Sequence, residues 1–302
     1  MKEITLIVLA GGMGSRFGGL KQIEAMGPNG EFIIDYSVYD AIKAGFSKIV
    51  FLIKRENFEI FKETIGSRVD QHIKVEYAFQ EENIPDDFYE VLKDRKKPLG
   101  TAHAIMCCRE NINGPFAIVN ADDFYGYDAY EKAAEYLKNV DENSTDYGMI
   151  AYQVKNTLTE NGAAKRGICK VVDGKLESLT ESNCERVGNK IIAAPLSGES
   201  EFEVYDETVV SMNFLLFTPK LFEQLDEDFP SFLENNRDNL EKCEFLIPDV
   251  LERLLQKRKA TVNVISTDAS WYGITYREDM PGVKDALSTM VNEGVYPNNL
   301  WD

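Results

Sequence analysis

Ile4-Thr5-Leu6-Ile7-Val8-Leu9-Ala10-Gly11-Gly12-Met13-Gly14-Ser15-Arg16-Phe17-Gly18-Gly19-Leu20-Lys21-Gln22 is the stretch from which the rest of the chain is read. Its first seven residues are apolar apart from Thr5 and rich in β-branched side chains, which reads as a strand buried on both faces. Gly11, Gly12 and Gly14 then follow without a gap. Lacking Cβ atoms, they let the backbone reach positive φ and turn several N–H groups toward one anion. Arg16 and Lys21 place two cations beside those amides. A buried strand running into an amide-lined, cationic loop suits a phosphate chain at the start of an α/β unit.

Outward from this loop, short apolar runs alternate with helical spacing. Residues 32–44 and 57–67 read as helices, and 48–53 and 73–79 as strands. A polar segment, 80–97, carries no clear period. A helix over 101–109, a strand over 116–120 and a helix over 128–138 complete the first half. Helices of this length between strands imply right-handed crossovers, with ligands at the strands' carboxyl ends. The loops that matter are therefore 11–21, 80–101 and 121–126. After Tyr147 the pattern changes to strands over 149–154, 167–172, 175–179 and 209–217, with Asp173-Gly174 as a hairpin signal. A helix from 219, a strand over 260–266 and a helix over 281–292 close the chain.

The chain has 302 residues, with 33 Lys and Arg against 51 Asp and Glu, for a net charge of −18. So few cations cannot spread a basic face, which argues against a nucleic-acid partner. The composition, 44% hydrophobic and 28% charged, is that of a globular protein with a sizeable core. No apolar run approaches the ~20 residues that span a bilayer, so no membrane partner is expected. Lys2 and Glu3 precede the first strand without a cleavage pattern, which disfavours a secretory signal. Cys107, Cys108, Cys169, Cys184 and Cys243 form no CxxC pair and are odd in number, as for reduced thiols of a cytoplasmic protein.

Two familiar glycine motifs fail here. A phosphate-binding loop of the Walker type needs Gly before its Lys and Ser or Thr after it, whereas Leu20 and Gln22 flank Lys21. The dinucleotide fingerprint needs a third glycine one residue before Gly18. The segment instead resembles the signature of the nucleotidyltransferases that make nucleotide sugars, GGxGxR followed by a lysine. That resemblance implies a Rossmann-like α/β fold, with a mixed, mostly parallel sheet flanked by helices and a β-rich acceptor lid. It divides the chain into a nucleotide-binding half (1–146), an acceptor-binding lid part of the same domain (147–240) and a C-terminal extension (241–302). Leu9, Ala10, Gly11, Gly12 and Gly14 would line the nucleotide, and Arg16 and Lys21 would be the catalytic cations.

Further residues extend the resemblance. Gln80 and Pro98-Leu99-Gly100-Thr101-Ala102 are similar to the family's base-recognition elements. Gly100 and Thr101 would approach the base, and the Gln80 amide suits a pyrimidine edge. Thr101 as a helix cap and Gln80 as a surface residue are the plain alternatives. Asn120-Ala121-Asp122-Asp123 resembles the strand-end aspartate that holds Mg²⁺. Asp122 is the first-choice ligand; Asp123 would assist it or cap the next helix. Gly167 and Glu181 match the sugar side, with Asn120 and Asn213 as further acceptor-binding candidates. The lysine that follows the family's glutamate is absent, since Ser182 follows Glu181. Lys165 or Arg166 would then meet the acceptor phosphate. Trp271-Tyr272-Gly273 carries glycine where the family has a second metal-binding aspartate, and Asp268, Glu278 and Asp279 are the nearby carboxylates. His72 and His103 have no partner pattern for hydrolysis or zinc.

The resemblance implies a Mg²⁺-dependent enzyme joining an NTP, a pyrimidine favoured, to a sugar 1-phosphate with release of pyrophosphate. Phosphocholine or another alcohol phosphate is the alternative acceptor. A catalytically silent nucleotide-sugar-binding regulator is the alternative from another class. A homo-oligomer is left open.

Overall fold

The computed structural model describes residues 2–11, 24–80, 84–93, 95, 97–274 and 276–301. Gly12, Gly14, Arg16 and Lys21 lie outside them. Strand β1 (Thr5–Leu9) leads to helix α1 (Ile33–Ala44), β2 (Lys48–Ile53), and a helix in two pieces, α2 (Phe58–Phe61) and α3 (Ser67–Val69), joined by a π turn. Then come β3 (Lys74–Phe79), α4 (Asp86–Leu92), α5 (Thr101–Met106), β4 (Phe116–Asn120), the short β5 (Asp123–Phe124) and α6 (Tyr127–Asn139). The second half contains β6 (Asp146–Gln153), β7 (Ala164–Val172), β8 (Lys175–Val187), β9 (Lys190–Pro195), β10 (Phe202–Val204) and β11 (Val209–Phe217). It ends with α7 (Lys220–Asn235), α8 (Ile247–Gln256), β12 (Thr261–Thr267), β13 (Tyr272–Gly273) and α9 (Met280–Asn292).

Among the described residues one large sheet has the order β10-β9-β8-β12-β6-β11-β4-β1-β2-β3, with β7 bridging β11 and β8. It is mixed, but its parallel part is confined to β4-β1-β2-β3 and to β6-β12, so the expectation of a mostly parallel sheet is corrected. The cause is local: the short connections after Tyr147, such as Asp173-Gly174, can join only antiparallel neighbours. The strands read as a lid extend the sheet itself.

β1 pairs on both sides, Thr5 with Lys48 and with Phe116, which explains its unbroken apolar run. α1 starts where the Phe32 N–H donates to Asp35 Oδ2 at 2.8 Å and stops at Gly45, whose φ of 96° lies in the left-handed region. Ile34, Val38 and Ala41 of α1 and Ala133 and Leu137 of α6 cover one face of the sheet. Ala102 and Ile105 of α5, Leu225 and Phe229 of α7, and Val250 and Leu254 of α8 cover the other. α9 packs Val283 and Leu287 against Tyr36 and Phe124, bringing the chain's end back beside β5.

Candidate active site

The carboxyl ends of β1, β2, β3 and β4 converge. Leu9 is level with Asn120, and the Ala121 N–H donates to the Leu9 carbonyl at 3.2 Å. The Ala10 N–H donates to Leu52 O at 2.8 Å, and the Gln80 N–H to Ile53 O at 3.2 Å. Leu9, Ala10, Gly11, Gln80, Asn120 and Asp122 are thereby gathered at one edge. A Cβ at Gly11 would lie 2.5 Å from Gln80 Oε1, so the glycine makes room for the Gln80 amide. Beside it a cleft of about 620 Å³ is walled by Gln80, Ile84, Leu92, Pro98 and Leu99, large enough for a nucleobase and its sugar.

The Pro98–Ala102 turn borders this cleft, but its glycine has a different local cause. Gly100 sits at φ 104°, and a Cβ there would lie 2.7 Å from Phe245 N. The backbone of Phe245 takes that space: its N–H donates to Leu99 O at 2.6 Å and its carbonyl accepts from Ala102 at 2.9 Å. Thr101 does not cap its own helix; its hydroxyl accepts the Ile247 N–H at 3.0 Å. His103 is buried against the Phe229 ring and Cys107.

Asp122 is half-buried at the end of β4, and Asp123 is buried. Asp123 caps no helix, since α6 starts after Gly126 with no side-chain cap. Its Oδ2 accepts from Asn120 Nδ2 at 2.9 Å and lies 3.3 Å from the Tyr125 hydroxyl. That hydroxyl accepts the Asn120 N–H at 3.0 Å and also lies 3.1 Å from Met212 O, so its one proton serves Asp123 or Met212 in turn. Gly273 is the antiparallel partner of Asp123. A Cβ on Gly273 would run into the Trp271 ring edge at Cη2 and Cζ2 and lie 2.8 Å from Asp123 Oδ1. The glycine is therefore required by packing. Of its neighbours, Asp279 is buried and accepts from Asn161 Nδ2 at 2.8 Å and the Tyr276 N–H at 2.7 Å, while Glu278 and Asp268 are exposed.

No group of three or more His, Cys, Asp or Glu among the described residues could hold a metal. Two adjacent carboxylates at a strand end still suit Mg²⁺, which binds through one or two such ligands and fills its shell with substrate oxygens and water. Asp122 and Asp123 are the residues that could hold it.

Among the residues expected on the acceptor side, Gly167 pairs with Glu181 on one flank and Ser211 on the other. A bulge between Ser211 and Phe214 turns Asn213 to φ 60° and exposes it. Asn213 follows Met212, whose carbonyl touches Tyr125, so the Asp123 network and Asn213 share one strand. Glu181 and Asn213 line a cavity of about 280 Å³ whose far wall is α8, with Asp249 and Glu252. The sequence reading missed this helix. Its start was visible in Ile247-Pro248-Asp249, proline and acid in a first turn, followed by apolar residues at 250, 251, 254 and 255.

The two candidate replacements for the missing lysine differ. Arg166 is buried: Nε donates to Thr157 Oγ1 at 2.9 Å, Nη1 to Lys165 O at 2.7 Å, and Nη2 to Thr157 O, with the guanidinium 4.7 Å from the Trp271 ring centre. Burial pulls it down to about 10. Lys165 is exposed, two residues from Gly167 on the side of β7 that faces Glu181. Burial raises the Glu181 carboxyl, which Lys165 pulls back down and Asp249 pushes up.

A strand-end cleft beside Gln80, the paired aspartates Asp122 and Asp123, and a separate cavity walled by β8, β11 and α8 make up the candidate site of this α/β fold. The chain belongs to the nucleotidyl transferase family, whose model matches residues 5–280. No curated protein sequence matches it. Among solved structures it is similar to the inositol-1-phosphate CTP transferase from T. maritima, at 14% identity and TM-score 0.60 over 95% of this chain and 99% of that one. A Bacillus anthracis protein assigned as a glucose-1-phosphate thymidylyltransferase gives 14% and 0.62 over 94% and 95%. A UDP-glucose pyrophosphorylase complexed with UDP-glucose gives 17% and 0.58 over 95% and 98%. At these identities the likeness is one of fold.

Proposed function

We propose that this protein is a Mg²⁺-dependent nucleotidyltransferase that joins an NTP to a phosphorylated small-molecule acceptor. A phosphate oxygen of the acceptor attacks the α-phosphorus in line, the bond from that phosphorus to the bridging oxygen breaks, and pyrophosphate leaves. The observation that carries this reading is the joint placement of Gly11, Gln80, Asn120 and Asp122 at one sheet edge, with the Glu181–Asn213 cavity opening from the neighbouring strand. The T. maritima and B. anthracis structures carry the names of transferases acting on a cyclitol phosphate and a sugar phosphate, which supports the acceptor class.

A phosphate acceptor is already ionised near pH 7, so no general base is needed. The protein's task is to hold two anions in line and offset their repulsion. The amides from Gly11 onward, with Arg16 and Lys21, hold the triphosphate, and Lys165 meets the acceptor phosphate. Gln80 fixes the base with one amide donor and one acceptor, which fits a pyrimidine edge. Asn120 keeps the Asp123 carboxylate oriented. Asp122, with Asp123 beside it, would hold Mg²⁺, which would neutralise charge on the phosphates.

No described helix is long and apolar enough to cross a membrane. All five cysteines are free and buried, which supports a reducing, cytoplasmic setting. The test is pyrophosphate release from each NTP and dTTP, crossed with a panel of sugar and alcohol phosphates with Mg²⁺. Turnover with one pairing supports the reading. NTP binding without pyrophosphate from any acceptor would assign the chain a silent, regulatory role.

A further inference from the structure

The acceptor cavity combines an apolar floor with a one-signed rim. Met149, Leu179, Leu215, Leu251 and Leu255 supply the floor; Glu181, Asp249 and Glu252 supply charge at the rim, and among the described residues no Lys, Arg or His lines it. Glu177 also lines the cavity but is ion-paired with Lys170. The three remaining rim carboxylates are not compensated from inside. Asp249 is raised by burial and by Glu252, and Glu181 by burial and by Asp249, so they load one another. Gln256 Nε2 donates to Glu252 at 3.1 Å, which orients that carboxylate without neutralising it. The nearest facing cations lie outside the lining: Lys165, toward Glu181, and Arg253, which is paired with Asp228.

From this lining we infer that the acceptor's non-phosphate part carries a protonated primary amine, which Glu181, Asp249 and Glu252 receive while the carbon frame rests on the leucine floor. The inference rests on the proposed transferase reading. Three features narrow the ligand. A second anionic group is excluded by repulsion from a rim of one sign. A neutral polyol can bond carboxylates but leaves their mutual repulsion standing. A quaternary ammonium is ordinarily held over aromatic faces, and among the described residues no Phe, Tyr or Trp lines the cavity. A primary ammonium offers three N–H donors to the carboxylates and removes their repulsion.

The experiment compares matched acceptors in pyrophosphate release: 2-amino-2-deoxyglucose 1-phosphate, its N-acetyl form and glucose 1-phosphate, with 2-aminoethyl phosphate against phosphocholine. A charge-assisted bond is worth enough to give about a tenfold to hundredfold higher kcat/KM for the amine in each set. Asp249→Asn and Glu252→Gln should shrink that ratio while leaving the KM for NTP unchanged. Equal or better turnover with glucose 1-phosphate or phosphocholine would overturn the inference and leave the transferase reading standing. Absence of pyrophosphate with every acceptor would overturn both.

Discussion

Gly273→Asp would restore, on paper, the second carboxylate that the sugar-nucleotide enzymes carry after Trp-x. The geometry argues that it would damage the protein. A Cβ at this position runs into the edge of the Trp271 ring, and Trp271 is also held by the buried Arg166 guanidinium over its ring. Overpacking of this kind costs about 1–3 kcal/mol. The added carboxylate would also face Asp123, whose Oδ1 lies 2.8 Å from the Cβ site. Two like charges roughly 4 Å apart at an effective dielectric of 20 repel by about 4 kcal/mol, less whatever protonation or a cation relieves. Gly273→Ala carries the first cost alone. Thermal melts of wild type, Gly273→Ala and Gly273→Asp, each with and without Mg²⁺, separate the contributions. Both variants should melt lower, Gly273→Asp the more so, with Mg²⁺ recovering part of its deficit and none of the alanine's. A Gly273→Asp protein as stable as wild type without Mg²⁺ would refute the steric argument.

Other consequences are as direct. Asp122→Asn should fold normally and lose about 2.7–4 kcal/mol of transition-state stabilisation, roughly a hundredfold to thousandfold in kcat, by analogy with a lost electrostatic contact; full pyrophosphate release would sink its role. Asp40 is buried, accepts from the Tyr296 hydroxyl at 2.7 Å, and is pushed by burial from the ordinary 3.8 up to about 7. The folded chain thus holds this proton more tightly than the unfolded one, so Asp40 makes stability fall as pH rises from about 4 to 7, by roughly 4 kcal/mol at most. Asp40→Asn should flatten that slope in denaturant titrations at stepped pH, and an unchanged slope would contradict it. Arg166→Lys should destabilise by about 1.5–3 kcal/mol, because an ammonium cannot make the forked bonds to Thr157 and keep its stacking on Trp271; an unshifted melting curve would show the clamp to be idle.

The first half of the fold was legible because β1, β2 and β4 are buried almost throughout, so hydrophobicity alone marks them; β3, at the edge of the sheet, is only partly buried. The boundaries read for β2 and β4 coincide with those observed. β8, by contrast, was read as ending near Leu179 but runs to Val187. Beyond Leu179 it alternates exposed and buried positions through Thr180, Glu181, Asn183 and Glu185, polar residues that a one-sided strand tolerates and that periodicity cannot separate from a loop. β9, six residues ending in Pro195, and β10, three residues, were missed as well. β5 and β13 are two residues each, too short for any pattern, yet their pairing sets Gly273 against Asp123.

The same limit applies to the site. Gln80 and Asp122 could be named from motifs because Gln80 directly follows β3 and Asp122 lies two residues past β4, at strand ends. Asp249 and Glu252 could not, because they enter the cavity on a helix more than sixty residues from Glu181 in sequence, and only the turn of α8 against β8 brings them together. Motif reading therefore reports the nucleotide end, where backbone geometry requires particular residue types at particular spacings. The cavity between β8, β11 and α8 is built from side chains that distant elements bring together across a gap. On the inference above, the charge of its wall would select the acceptor. Turnover with amine-bearing acceptors measures that wall directly; if exchanging the α8 carboxylates for amides left acceptor preference untouched, the helix would be scaffold and specificity would have to reside on β7, β8 and β11 alone.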